Sequence, residues 1–169
     1  MITFILPGYS PRNKDWADDV AKNLKLEGQI RPIYWDHWED DAQSFKPKEK
    51  KDLIVRHSKG DSINIVAKSV GTLVAALIVK EVPDQVKKVI LCGIPTVSDE
   101  RMKITRDAFA TFPSEKVIVF QNQKDPFATD AEVVAFMKKV NPKIKVISKE
   151  RGDHHYPYYE DFNDFLKST

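Results

Sequence analysis

SINIVAKSVGT, residues 62–72, joins an apolar strand to an apolar helix with almost no loop between them. The strand ends near Ala67, and the helix continues to Val82 with apolar side chains nearly all round, as in a buried central helix. Ala67 and Gly71 stand two residues before and two residues after Ser69, and small side chains there let strand and helix pack closely. The spacing predicts a tight turn with Ser69 at its apex.

The alternation of strand and helix continues along the whole chain. Short apolar runs predict strands, and the segments of helical period between them predict helices. Strands are expected at 2–6, 30–35, 62–67, 86–92, 116–121 and 144–148, and helices at 15–26, 47–57, 70–82, 129–140 and 158–166. This alternation is typical of a mostly parallel sheet with helices on both faces, so we expect a three-layer α/β/α sandwich in a single domain, residues 1–169.

Length and charge limit the class of protein. A chain of 169 residues is close to the commonest domain size and can form a core without disulfides or metal. The 27 Lys and Arg residues nearly balance the 25 Asp and Glu residues, which argues against nucleic acid as a partner. No apolar run is long enough to cross a membrane, and there is one Cys and no basic leader. We therefore expect a cytoplasmic protein without a membrane partner.

Ser69 has the surroundings that a nucleophilic serine needs. At the start of a helix its hydroxyl lies at the positive end of the helix dipole, and the N–H of Val70 is directed at the same point. The alternative is that Ser69 only caps the helix, a role that serine performs well. A serine hydroxyl is a weak nucleophile until a base removes its proton, so a base and an orienting acid are also required.

A base and an acid are available after later strands. Of the four histidines, His154 follows the last predicted strand, and His155 beside it is an alternative base. Asp125 follows the strand at 116–121, and Asp99, which follows the preceding strand, is an alternative acid. Because the carboxyl ends of parallel strands lie at one edge of a sheet, the base and the acid are expected there together with the serine.

The order of serine, acid and base along the chain resembles the order in the α/β-hydrolase superfamily. LPGYS, residues 6–10, is similar to the loop of that family that begins His-Gly, with Pro7 in place of the histidine. KVILCG, residues 88–93, is similar to the strand that follows the elbow helix. The resemblance implies an α/β-hydrolase fold with strand order 2-1-3-4-5-6 and a small serine hydrolase or esterase without a cap.

The same resemblance implies roles for individual residues. Ser69 would attack a carbonyl carbon, His154 would accept the serine proton, and Asp125 would hold the charged imidazole. The backbone N–H groups of Tyr9 and Val70 would bind the oxyanion, and the N–H of Ser10 is an alternative to that of Tyr9. A triad of this kind needs no metal or organic cofactor.

The substrate is expected to be a small-molecule ester or a related acyl compound, with thioester and amide cleavage as alternatives. Phe127 and Tyr156 are expected to bind the substrate, with Tyr9 and Tyr158 beside them around a shallow acyl site. Lys68 either attracts an anionic substrate or is simply solvated. The alternative from another class is a binding protein that has the triad but does not use it.

Four further features of the sequence need an interpretation. Trp35 and Trp38 either form pocket walls or cover the sheet edge with their indole N–H groups hydrogen-bonded. His37 has acidic neighbours, but no second histidine lies at ligand spacing, so a metal site is not expected. Residues 98–113 form either a lid or an ordinary crossover helix, and Cys92 is expected to be inert core.

Overall fold

The computed structural model describes residues 1–40, 42–96 and 98–168. Within these ranges six strands form one sheet, and every neighbouring pair is parallel. The strands are β1 (Ile2–Leu6), β2 (Gln29–Pro32), β3 (Ile63–Lys68), β4 (Val86–Cys92), β5 (Val117–Asn122) and β6 (Lys145–Lys149). Their order across the sheet is β2-β1-β3-β4-β5-β6, which confirms the predicted fold class and strand order.

Helices cover both faces of this sheet. In the described ranges they are α1 (Asn13–Asn23), α2 (Pro47–Ser58), α3 (Val70–Glu81), α4 (Asp99–Phe109), α5 (Asp130–Val140) and α6 (Tyr159–Lys167). Helices α1 and α6 supply buried side chains to one hydrophobic cluster, and α2 to α5 supply them to the other. In the part of the chain that the structure describes, no helix is both long enough and apolar enough to cross a bilayer.

The strands are apolar on both sides because each side packs under helices. Ile65 of β3 belongs to the cluster under α2 to α5, and its neighbour Val66 belongs to the cluster under α1 and α6. Leu91 and Cys92 of β4 likewise belong to the first and the second cluster, respectively. Cys92 is fully buried, as expected. Successive strand residues face opposite sides, so continuous apolar runs are what a doubly covered parallel sheet requires.

The second strand is shorter than the predicted 30–35. β2 ends at Pro32, and a single 3₁₀ turn at Asp36–Trp38 follows. Trp35 lies between them with 1% of its surface exposed, packed in the same hydrophobic cluster as α3. An edge strand pairs with only one neighbour, so burying this indole outweighs pairing of three more residues.

The segment predicted at 98–113 is a crossover helix between β4 and β5. α4 begins at Asp99, and the Ser98 side chain caps it by accepting a hydrogen bond from the Arg101 N–H at 3.3 Å. Ala108 and Phe109 bury its inner face against the core. Its first turn borders the carboxyl edge of the sheet, where Arg101 contacts the cleft described below.

Candidate active site

Ser69 stands at the sharp turn between β3 and α3 in a backbone conformation that few residues adopt. Its φ is 54° and its ψ is −122°. For a residue with a side chain this region costs about 1–3 kcal/mol, and such strain concentrates at functional sites. The Ser69 side chain makes no capping hydrogen bond to α3, so the helix-capping interpretation finds no support. The residue is partly exposed, and its hydroxyl does not stabilise the helix by capping.

Gly71 explains why the turn can be so tight. A Cβ atom built on Gly71 would lie 2.2 Å from the backbone oxygen of Leu6 and 2.9 Å from that of Pro7. No side chain fits there, so glycine lets the start of α3 approach the end of β1 directly. The loop after β1 and the serine turn are thereby held side by side.

Asp125 lies on the loop after β5 with only 3% of its surface exposed. Its Oδ2 atom is 2.6 Å from Nδ1 of His154 and accepts a hydrogen bond of 2.6 Å from the Tyr156 hydroxyl. Its Oδ1 atom accepts from the Phe127 N–H at 2.9 Å. Burial alone raises the pKa of Asp125, but these three hydrogen bonds outweigh burial and the net pKa is lowered. The carboxylate is therefore kept charged.

His154 is the imidazole that the structure places against this carboxylate. Its Nε2 atom is buried and has no hydrogen-bond partner among the described residues, although Ser69 lines the same cleft. The alternative base, His155, is exposed, and the ring that bonds to Asp125 is that of His154. The alternative acid, Asp99, is an exposed residue at the start of α4.

Asn122, at the end of β5, holds the turn that carries His154. Its Nδ2 group donates to the backbone oxygens of Asp153 at 2.8 Å and of His155 at 2.9 Å, on either side of the histidine. Its Oδ1 atom accepts from the Tyr158 hydroxyl at 2.5 Å. Asn122 could not be identified from the sequence, because a strand-end asparagine carries no signal of its own.

Tyr156 and Tyr158 occupy other positions than predicted. Tyr156 is fully buried behind Asp125, where a substrate cannot touch it, and Tyr158 packs on Phe120 and Phe162 away from the cleft. A buried phenol needs a partner for its hydroxyl, and a buried carboxylate needs donors, so Tyr156 is drawn inward. The expected substrate-binding role of Tyr156 is therefore replaced by a positioning role.

The loop after β1 is fixed by donors from the segment after β2. The Trp35 indole donates to the Gly8 oxygen at 3.1 Å, and the Trp38 indole and His37 Nε2 donate to the Tyr9 oxygen at 2.7 and 2.8 Å. Both tryptophans thus hydrogen-bond through their indole N–H groups, and neither borders the cleft, so they do not form pocket walls. Because Nε2 of His37 faces a carbonyl oxygen, it is engaged as a donor rather than free to bind a metal.

An open cleft of about 600 Å³ lies over these groups. Five residues predicted for the site border it together with Ser69 and His154, namely Tyr9, Ser10, Lys68, Val70 and Phe127. Phe127 is 55% exposed and its ring lies 4.6 Å from the His154 ring, centroid to centroid. Arg12 and Arg101 also border the cleft, and sequence analysis gave neither of them a role there.

Lys68 is not solvated, contrary to one of the two interpretations of its position. Only 6% of its surface is exposed, and its Nζ atom donates to Oδ1 of Asn13 at 2.6 Å and lies 5.7 Å from the Trp16 ring. Burial lowers the pKa of Lys68 to about 8. A lysine next to a surface loop is usually exposed, and here α1 folds over it.

Comparison with known families gives one match: residues 33–162 fit the model described as "Alpha/beta hydrolase domain". The chain belongs to the α/β hydrolase family. The matched range includes the serine turn, Asp125 and His154. A comparison with curated proteins finds no significant match.

Solved structures show the same fold for this α/β hydrolase. Est1E from Butyrivibrio proteoclasticus, solved with ferulic acid bound, has a TM-score of 0.71 at 16% identity, with 98% of this chain and 87% of that chain covered. XC6422 from Xanthomonas campestris, described as a serine hydrolase without a lid, has a TM-score of 0.71 at 13% identity, with 98% and 78% covered. MGS-M2, an α/β hydrolase from a Medee basin deep-sea metagenome library, has a TM-score of 0.69 at 13% identity, with 99% and 90% covered.

Replacing Tyr156 by Phe is expected to destabilise this α/β hydrolase at neutral pH by about 1–2 kcal/mol, because Asp125 loses a donor. The pKa of Asp125 then rises toward its ordinary value of 3.8. A carboxyl group whose folded-state pKa is lowered adds stability above its unfolded-state pKa, and that stability is lost as pH falls through the folded-state pKa. The difference from wild type in urea unfolding should therefore be largest near neutral pH and shrink in acid.

Tyr159→Phe is the matched control for this α/β hydrolase, because no described residue bonds to the Tyr159 hydroxyl. It should unfold like wild type from neutral pH into acid. Two results would contradict the role of Tyr156 as a donor to Asp125. One is an equal loss of unfolding free energy in both variants, and the other is a loss in Tyr156→Phe that does not depend on pH.

Gly93→Ala is expected to displace His154. Gly93 has a φ of +60°, and a Cβ atom there would lie 2.7 Å from both the His154 Cε1 and the Tyr156 Cε2 atoms. Gly60 has a φ of +84° with nothing within 4 Å, so Gly60→Ala has the backbone strain without the crowding. Both variants should lose about 1 kcal/mol or more from strain, and only Gly93→Ala should lose about 10²-fold in hydrolase activity. Equal activities of the two variants would show that the imidazole is not displaced.

Proposed function

We propose that this α/β hydrolase is a serine hydrolase that cleaves a small ester through Ser69, His154 and Asp125. Ser69 Oγ attacks the ester carbonyl carbon while His154 Nε2 takes its proton, and the alcohol leaves with that proton as the acyl–oxygen bond breaks. Water then attacks the acyl-serine with the same base, which releases a carboxylic acid and restores the serine. Asp125 keeps the imidazole in one tautomer and stabilises its charged form.

The unpartnered Nε2 atom of His154 is the observation that carries this proposal. A buried polar atom without a partner is uncommon in a folded protein and calls for an explanation. Its Nδ1 atom is held by Asp125, which leaves Nε2 as the acceptor nitrogen of a neutral ring. In the free enzyme the hydrogen bond to the serine is often long or poorly aligned and tightens when substrate binds.

The oxyanion would be bound by the N–H groups of Val70 and Tyr9, with that of Ser10 as the alternative to Tyr9. Val70 is the first residue of α3, where the positive end of the helix dipole adds to its N–H. The Tyr9 carbonyl is fixed by two donors, so the loop is set before substrate arrives. Loss of one such donor typically costs about 10²–10³ in rate.

A fluorophosphonate probe tests the proposal directly. The intact protein should be labelled, and the label should map by mass spectrometry to the peptide that contains Ser69. A panel of short acyl p-nitrophenyl esters, thioesters and amides should then show the highest kcat/KM for esters. A folded protein that neither reacts with the probe nor hydrolyses any member of the panel would contradict the hydrolase proposal and favour a binding protein.

A further inference from the structure

The cleft over the serine is lined by three basic side chains and by no carboxylate among the described residues that border it. The basic residues are Arg12 before α1, Lys68 at the end of β3 and Arg101 in the first turn of α4. They come from three separate elements that meet around Ser69. The whole chain carries a net charge of only +2, so this concentration of positive charge is local to the cleft.

Lys68 is a buried cation whose hydrogen-bond partner is neutral. Its ammonium group donates to the Asn13 amide oxygen and forms no ion pair with a described residue. A buried ammonium group is costly unless a charge of opposite sign compensates it. The two carboxylates whose charges act on Lys68 are already bonded elsewhere, Asp125 to His154 and Asp153 to Arg151.

Arg12 and Arg101 are exposed, and neither forms an ion pair within the part of the chain that the structure describes. Guanidinium groups bind carboxylates and phosphates through two parallel hydrogen bonds, and here they remain available for that purpose. A low-dielectric wall of apolar side chains, with Phe127 and Pro95 among them, strengthens the attraction for an anion.

We propose that the cleft selects acyl substrates that carry an anionic group, a carboxylate or a phosphate, bound by Lys68, Arg12 and Arg101. This inference rests on the proposed serine hydrolase function and adds the charge of the substrate to it. The anionic group balances the buried ammonium and adds bonds to the two guanidinium groups, while the ester carbonyl lies at Ser69.

The test compares three p-nitrophenyl esters of equal chain length. One ends in a carboxylate (the adipate monoester), one in a phosphonate, and one in the neutral primary amide that has the shape of the carboxylate. Wild-type kcat/KM should be about tenfold or more higher for at least one anionic ester than for the amide, and the ratio should fall as salt is added. The two anionic probes show which group is preferred.

Variants locate the origin of this preference. Lys68→Met and Arg101→Gln should each lower the anion-to-amide ratio by about threefold or more while the amide ester is still hydrolysed. Arg106→Gln is the matched control, because Arg106 is an exposed arginine of α4 that does not border the cleft. It should leave the ratio unchanged. An equal effect of Arg106→Gln would assign the preference to overall charge and not to the cleft.

Binding measured without turnover separates this inference from the proposed function. In Ser69→Ala protein, calorimetry should detect binding of adipate or of the matching phosphonate acid, and it should detect no binding of adipamide. If the probe labels Ser69 and esters are hydrolysed without preference for either anion, the charge inference fails and the hydrolase proposal stands. If adipate binds to a protein that never reacts with the probe, the hydrolase proposal fails and an anion-binding role remains. If the kinetics show no preference for an anionic ester and calorimetry shows no binding of an anion, the inference is overturned.

Discussion

Ser69→Ala is expected to lower the kcat for a short p-nitrophenyl ester by about 10⁵–10⁶ and to leave the fold intact. The hydroxyl makes no capping hydrogen bond, so its removal costs no structural contact. Alanine keeps the Cβ atom, so the strained backbone at φ 54° is neither relieved nor worsened. The residual rate should stay above that in water, because the N–H groups of Val70 and Tyr9 proposed to bind the oxyanion remain. Steady-state kinetics and thermal unfolding of the same sample measure the two effects separately.

Ser62→Ala is the matched control for this prediction. Ser62 immediately precedes β3, at the end of the same strand opposite to Ser69. The control should keep wild-type activity and wild-type labelling by the fluorophosphonate probe. If Ser69→Ala keeps more than a small fraction of wild-type kcat in a sample free of contaminating esterase, Ser69 is not the nucleophile.

Asp125→Asn is expected to lower kcat by about 10³–10⁴ through the tautomer of His154. An asparagine that still accepts from the Phe127 N–H through its oxygen places its NH₂ group where Oδ2 now stands. That NH₂ group can only donate, so His154 Nδ1 must become the acceptor and its proton must move to Nε2. A protonated Nε2 cannot take the serine proton. The measurement is kcat across the neutral pH range, with folding checked by circular dichroism.

Asp99→Asn distinguishes the two candidate acids. Asp99 is exposed at the start of α4, and its replacement should leave kcat near the wild-type value. A loss of activity in Asp99→Asn with activity retained in Asp125→Asn would move the acid to Asp99. The contact of Asp125 with the imidazole would then be structural.

The strands and the turn at Ser69 could be predicted from the sequence because both depend on local pattern, and the strand order was predicted from the resemblance to the α/β-hydrolase superfamily. Continuous apolar runs identify strands buried on both faces, and the small residues around Ser69 identify the close approach of α3 to β1. The ends of the strands depend on packing as well as on local pattern. β2 ends at Pro32 because Trp35 is drawn into the core, and only packing decides that.

The sequence by itself determined which chemical groups stand at the carboxyl ends of the strands, since strand and helix periods depend on neighbouring residues. Only the tertiary structure decided what each group faces. Tyr156 turns inward to Asp125, Lys68 is covered by α1, and Arg101 reaches the cleft from α4. These contacts join residues far apart in the chain, and their energies come from burial and hydrogen bonding that no local pattern records.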